Sequence, residues 1–125
     1  MIDFTQLKLN NDEPVYIQLA MYVKKQIVNG SVSSGEEFPS RRELAAMLDI
    51  NPNTVQKAYR HMEDAGFVYT ESSKGSFLLL DSATCETIKK ELTEEMVRDF
   101  IRKAKGIKLS FKDTMDLVSK GWEEV

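Results

Sequence analysis

Two helix-start signals lie within one short stretch, at Ser40–Glu43 and at Asn51-Pro52. Ser40 and Glu43 have the spacing of a capping box, in which each side chain satisfies the other's free backbone N–H. Asn51 is a second cap, and Pro52 brings the φ that suits a first helical turn. A helix opened at Arg41 must therefore finish by about Leu48, with Asp49 and Ile50 as the only connection to the next. The chain is forced into a short helix, a tight turn and another helix. Leu44, Ala45 and Leu48 give the short helix a buried side. Val55, Ala58, Tyr59 and Met62 do the same for the helix after it, which is expected to run to about Ala65 and stop at Gly66. Its opposite face carries Asn53, Gln56, Lys57 and Arg60.

The flanks complete the pattern. The first ten or so residues are polar and unpatterned, and are expected to form an arm. A first helix is expected from Pro14, with Asp12 or Glu13 serving its free N–H groups, and Tyr16, Leu19, Val23 and Ile27 making one buried stripe before Asn29-Gly30 ends it. After Gly66 the period turns strand-like. Phe67–Thr70 and Ser76–Leu80 read as a hairpin around residues 71–75. Helix, turn, helix and hairpin together make a winged helix-turn-helix, so the chain is expected to be mainly α with one small β-hairpin. From Asp81 the period is helical again. Ile88, Leu92, Met96, Phe100 and Ala104 recur at steps of four with Val97 and Ile101 beside them, Gly106 interrupts, and a last helix capped by Ser110 carries Phe111, Met115, Val118 and Trp122. The division predicted is 1–80 for the winged helix-turn-helix domain and 81–125 for a two-helix tail.

Several function classes drop out. The one cysteine, Cys85, and the one histidine, His61, allow no intrachain disulfide and no Cys/His zinc cluster. Cys85 is read as a small packing residue and His61 as a helix-surface one. The carboxylates scatter along helix faces beside Lys and Arg, and no phosphate loop or nucleophile elbow is present, so neither an enzyme nor a cofactor is expected. No apolar run approaches the roughly 20 residues that span a bilayer, and the N-terminus lacks a signal-peptide pattern; a cytoplasmic protein with no membrane partner is expected.

Charge is the awkward fact for a nucleic-acid partner, because the net value is −3. Placement is more informative. Between Phe38 and His61 four basic residues, Arg41, Arg42, Lys57 and Arg60, face two acids, Glu43 and Asp49. Reading duplex DNA requires hydrogen-bonding side chains at the front of a helix laid in the major groove. Asn51, Asn53, Thr54 and Gln56 supply them, Lys57 and Arg60 supply charge for phosphates, and Ser73, Lys74 and Gly75 at the hairpin tip can reach an adjacent backbone. A protein-interaction module on the same scaffold is the rival reading. It would carry exposed aromatics on this helix, and none is expected outward.

The run Pro39-Ser40-Arg41-Arg42-Glu43-Leu44-Ala45, then Asn51-Pro52-Asn53-Thr54-Val55-Gln56-Lys57-Ala58-Tyr59, then Glu63 and Gly66, resembles the GntR family of bacterial repressors over about half the chain. The resemblance implies that Arg42, the front of the third helix and the wing tip contact DNA. In the wing, that family has two glycines around one residue before Ser/Thr-Phe-Val; here Ser73 stands for the first, in Ser73-Lys74-Gly75-Ser76-Phe77-Leu78. About 45 residues remain, too few for a separate effector domain, and the tail resembles the YtrA subfamily. That resemblance implies a homodimer controlling a transport operon. Ile88, Leu92, Met96, Phe100, Met115, Val118 and Trp122 are the expected dimerisation residues, since a helical hairpin this apolar leaves a patch that an interface would cover. Two copies would set their recognition helices roughly 34 Å apart, matching a palindromic operator in double-stranded DNA. A small-molecule effector of unknown identity is the remaining expected partner.

Overall fold

Ser40 Oγ accepts from the Glu43 amide at 3.1 Å, and the Glu43 carboxylate accepts from the Ser40 amide at 3.2 Å, so the capping box is complete in both directions. A computed structural model describes the whole chain, Met1–Val125. In order, it forms α1 (Val15–Val28), α2 (Arg41–Leu48), α3 (Pro52–Asp64), β1 (Val68–Glu71), β2 (Gly75–Leu78), α4 (Ser82–Gly106) and α5 (Phe111–Gly121), closing on a 3-10 turn at Trp122–Glu124. Two compact units result, Met1–Lys89 and Lys90–Val125.

The first unit is the winged helix-turn-helix. Leu19, Val23 and Ile27 of α1, Leu44 and Ala45 of α2, and Val55, Ala58, Tyr59 and Met62 of α3 close one core with Phe67, Val68 and Leu78. Asp49 carries the turn between α2 and α3 in the left-handed region, at φ 54°, and its short polar side chain tolerates that conformation. Strands β1 and β2 pair antiparallel from Val68 opposite Leu78 to Glu71 opposite Gly75, with Ser72, Ser73 and Lys74 at the tip. The segment before α2 adds a third edge to this hairpin: Gly35 and Phe38 donate to the Leu78 and Ser76 carbonyls at 2.8 and 2.9 Å, and Leu78 donates back to Glu36 at 3.0 Å. Gly75 sits at φ +106°, which favours glycine, and a Cβ there would lie 3.5 Å from the Glu37 carboxylate.

The N-terminal residues are not an arm. Ile2 and Phe4 are buried, Leu7 packs beside them, and Ile2 N–H donates to the Glu37 carbonyl at 2.8 Å. Phe4 stacks near Tyr22 and Phe38, with ring centres 5.4 and 6.3 Å away. Nor do Asp12 or Glu13 cap α1 with a side chain. The tie is Gln18 instead, whose side chain bonds both backbone groups of Asn10 at 2.9 Å and the Glu13 carbonyl at 2.7 Å.

The tail departs from expectation in three ways. Asp81 caps α4 through the Thr84 amide at 2.7 Å, an interaction that also holds the Asp81 carboxyl below its ordinary pKa. Two turns further on, Ile88 is buried among the first unit's core residues with Cys85 packed beside it, so the compact unit extends to Lys89 rather than ending at Leu80. Ile88, expected at a dimer interface, is covered within its own chain. At the far end of α4, the left-handed residue is Lys108 at φ 60°, not Gly106. The Leu109 and Lys108 amides close that turn on the Ala104 and Lys105 carbonyls. Beyond it α5 starts at Ser110, whose Oγ accepts from Asp113 N–H at 3.1 Å, but α5 buries none of its residues and does not pack along α4. The expected helical hairpin is two separate amphipathic helices.

Because Phe4 fills the core, Phe4→Ala is expected to destabilise the first unit by about 3–5 kcal/mol in chemical denaturation. A change within about 0.5 kcal/mol, normal for a surface arm, would restore the arm reading.

Candidate nucleic-acid interface

The outward face of α3 is set by what its inward face is fixed to. Tyr59 is buried, its hydroxyl donates to the Pro39 carbonyl at 2.6 Å, and its ring meets Phe38 edge-on at 5.3 Å. Burial pushes the phenol above its ordinary pKa, with the nearby Arg41 cation opposing that shift and Glu43 adding to it. Asn51 Oδ1 accepts from Asn53 N–H at 2.8 Å and so caps the helix.

Opposite this anchor, Asn53, Gln56, Lys57 and Arg60 are exposed and Thr54 is half-exposed. No aromatic side chain joins them. Arg42 is exposed in the first turn of α2. Lys57 Nζ lies 4.2 Å from the Tyr16 ring centre, which steadies its stem while its charge stays at the surface. At the wing tip Ser73 and Lys74 are exposed, and Lys74 pairs loosely with Glu71 at 3.5 Å. Gly75 belongs to β2 rather than to the tip. Glu43 is engaged in the cap of α2 and Glu63 with Arg41, while Asp49 is exposed at the turn between α2 and α3. A chain of net charge −3 thereby keeps a cationic, donor-rich front.

Two expected DNA ligands are differently placed. Asn51 has its side-chain oxygen committed to the cap. Arg41 is turned inward: its Nε–H donates to Gln56 Oε1, its terminal nitrogens reach Glu63 at 3.3 Å and Ser76 Oγ at 3.4 Å, and its guanidinium lies 4.8 Å from the Tyr59 ring centre. It joins α2, α3 and β2. A cation at a helix start is mildly unfavourable, and that signal at Arg41 reflects an internal junction. The Ser76 partner of this junction, buried and bonded to Thr70 Oγ1 at 2.7 Å, had no sequence signal beyond its place in the wing.

A three-helix unit with a wing, a capped short helix before the recognition helix and a polar outward front is a winged helix-turn-helix of the DNA-binding class. Residues 15–78 match the model of the bacterial regulatory proteins, gntR family, and the chain belongs to that family. It is similar to the HTH-type transcriptional regulator YhcF of Bacillus subtilis (strain 168), at 28% identity over 109 residues covering 87% of this chain and 90% of that protein. It is also similar to the HTH-type transcriptional repressor YtrA of the same strain, at 33% identity over 79 residues covering 63% and 61%. A solved GntR family transcriptional regulator from Listeria monocytogenes superposes with a TM-score of 0.79 at 28% identity, covering 90% of this chain and 98% of that one. The protein is a DNA-binding transcriptional regulator, a class of non-enzymes, and the similarity to YtrA agrees with the YtrA subfamily resemblance. No helix is long and apolar enough to cross a membrane.

Tyr59→Phe is expected to cost about 1–3 kcal/mol, since it leaves the buried Pro39 carbonyl without its donor. The folded phenol keeps its proton to higher pH than the unfolded one. Its contribution is therefore intact below about pH 10 and declines above that, where the unfolded chain releases a proton that the folded chain retains. Denaturation midpoints across alkaline pH should fall less steeply in the variant; an identical alkaline slope would show that Tyr59 is not the group responsible.

Proposed function

We propose that this regulator is a homodimeric repressor that grips a palindromic operator with α3 and the wing of each copy and dimerises through α4 and α5. The observation that carries the DNA half is the α3 front, where Asn53, Gln56 and Arg60 are all exposed on a helix whose other side is sealed. Arg42, Asn53, Thr54 and Gln56 are the base-edge readers in this reading, and Arg60, Lys57 and Lys74 neutralise phosphates. The likeness to the repressor YtrA supports repression over activation, and the YtrA-type tail supports a transport or stress operon as the target, with release by a small effector.

The dimer half is supported by uncovered apolar surface. Met96, Phe100, Met115 and Trp122 are 64%, 48%, 44% and 76% exposed, and Leu92 and Val118 are half-buried at the margins of the same stripes. Solvent-facing apolar runs of this kind mark interfaces, while the polar sides of α4 are laced by Arg98–Glu94, Arg98–Glu95 and Arg102–Asp99 pairs. A second copy is the occupant that a two-fold operator requires.

Arg42→Ala is expected to lower specific binding by about 1–3 kcal/mol in mobility-shift titrations across the protein's own promoter, with little change on scrambled duplex. Equal loss on both duplexes would demote Arg42 to a phosphate ligand, and no loss on either would remove it from the interface. Phe100→Asp is expected to sediment as a monomer and to lose half-site cooperativity. A variant that still dimerises at the wild-type concentration would move the interface elsewhere.

A further inference from the structure

The Arg41–Gln56 contact fixes more than packing. A guanidinium carries donors only, so the amide atom facing Arg41 Nε is the oxygen of Gln56, as its hydrogen bond to Oε1 has it. The amide nitrogen and its two hydrogens are left for a ligand. Arg41 is held in place by Glu63 at 3.3 Å, Ser76 Oγ at 3.4 Å and the Tyr59 ring at 4.8 Å, and Gln56 itself is exposed on the α3 front. The amide is thus oriented before any ligand arrives.

A free glutamine reads adenine with both ends, accepting from N6 and donating to N7. Gln56 has one lone pair of its oxygen taken by a cation. That same cation repels the N6 hydrogens of an approaching adenine and attracts an edge made of acceptors. Guanine presents two acceptors in the major groove, O6 and N7. We propose that Arg41 is a specificity-determining positioning residue, which turns Gln56 from an adenine reader into a donor-only reader of guanine. The inference rests on the proposed placement of α3 in the major groove and adds to it the base that one side chain selects.

The test uses the full-length protein and binding sites enriched from a random duplex library. Comparing wild type with Gln56→Ala locates the base pair that Gln56 reads. That pair is expected to be G·C, and 7-deazaguanine placed there should weaken wild-type binding about tenfold. Arg41→Met should shift the guanine-over-adenine ratio at that pair about tenfold toward adenine and leave the other positions unchanged, with a thermal melt confirming that the variant folds. Gln56→Glu provides a second route that leaves the Arg41 junction intact: it removes the donors, and guanine preference should disappear. Any base other than guanine at the wild-type position, or an Arg41→Met preference identical to wild type, overturns the inference. So does an unaltered motif with Gln56→Ala while Arg42→Ala or Asn53→Ala changes it, and in that case the operator reading stands. Failure to enrich any motif sinks the operator reading itself, and this inference with it.

Discussion

The Tyr59 ring lies between Phe38 and the Arg41 guanidinium, 5.3 and 4.8 Å away, and its hydroxyl ends on the Pro39 carbonyl just before α2. This wedge fixes the rotation of α3 about its own axis. Successive helical residues point about 100° apart, so a slip of one position would carry Gln56 or Lys57 inward and expose part of the core face. Val55, Ala58 and Met62 are fully buried on the same side, and moving Val55 or Met62 into water would cost on the order of 1.5–3 kcal/mol. The polar front of α3 faces outward because every alternative rotation is penalised by its apolar back. The capping box of α2 and the left-handed Asp49 turn then set where that front begins along the chain.

Charge works by subtraction in this molecule. The chain carries three more acids than bases, and two acids close to the α3 front are withdrawn by local bonds. Glu43 serves the α2 cap and Glu63 holds Arg41, while the cations that remain exposed, Arg42, Lys57 and Arg60, are free to dominate the field nearby. A Debye length near 8 Å in physiological salt limits how far the acidic surface of the rest of the chain can oppose them. Whole-chain net charge is for that reason a poor guide to this surface, and the four-to-two balance between Phe38 and His61 is a better one.

Local signals carried the first unit almost entirely. Ser40–Glu43 and Asn51-Pro52 each specify a structure by chemistry within a few residues, and α2 and α3 begin where those caps require. The 3.6-residue period likewise named the buried face of α3 residue by residue. What escaped was non-local. Ile2 and Phe4 are apolar at a spacing of two inside a polar stretch, a strand-like hint too short to outweigh its surroundings, and their burial depends on Glu37, Tyr22 and Phe38 arriving from elsewhere. The intrachain partners of Arg41 had no signal in the sequence because Gln56, Glu63 and Ser76 stand 15, 22 and 35 residues away. Ile88 shared the period of the tail, yet it belongs to the core because the first turns of α4, up to Lys89, are part of the first unit. Periodicity reports that a face is apolar and is silent on what covers it.

The tail presents that distinction at its sharpest. An isolated helix shorter than about 12–15 residues is marginal in water. The last helix has 11 residues, caps itself through Ser110, buries nothing, and does not lie against α4. Capping contributes on the order of 1 kcal/mol, which does not offset the entropy of ordering a segment of this length. Apolar cover from outside its own chain would therefore stabilise its helical state. If a second copy supplies it, ordering of α5 and association become one equilibrium, and the fraction of ordered tail rises with protein concentration. Anything that competed for Phe111, Met115 or Trp122 would then loosen the pairing of two recognition helices while touching neither of them. This would be a physical route by which the tail couples to DNA binding.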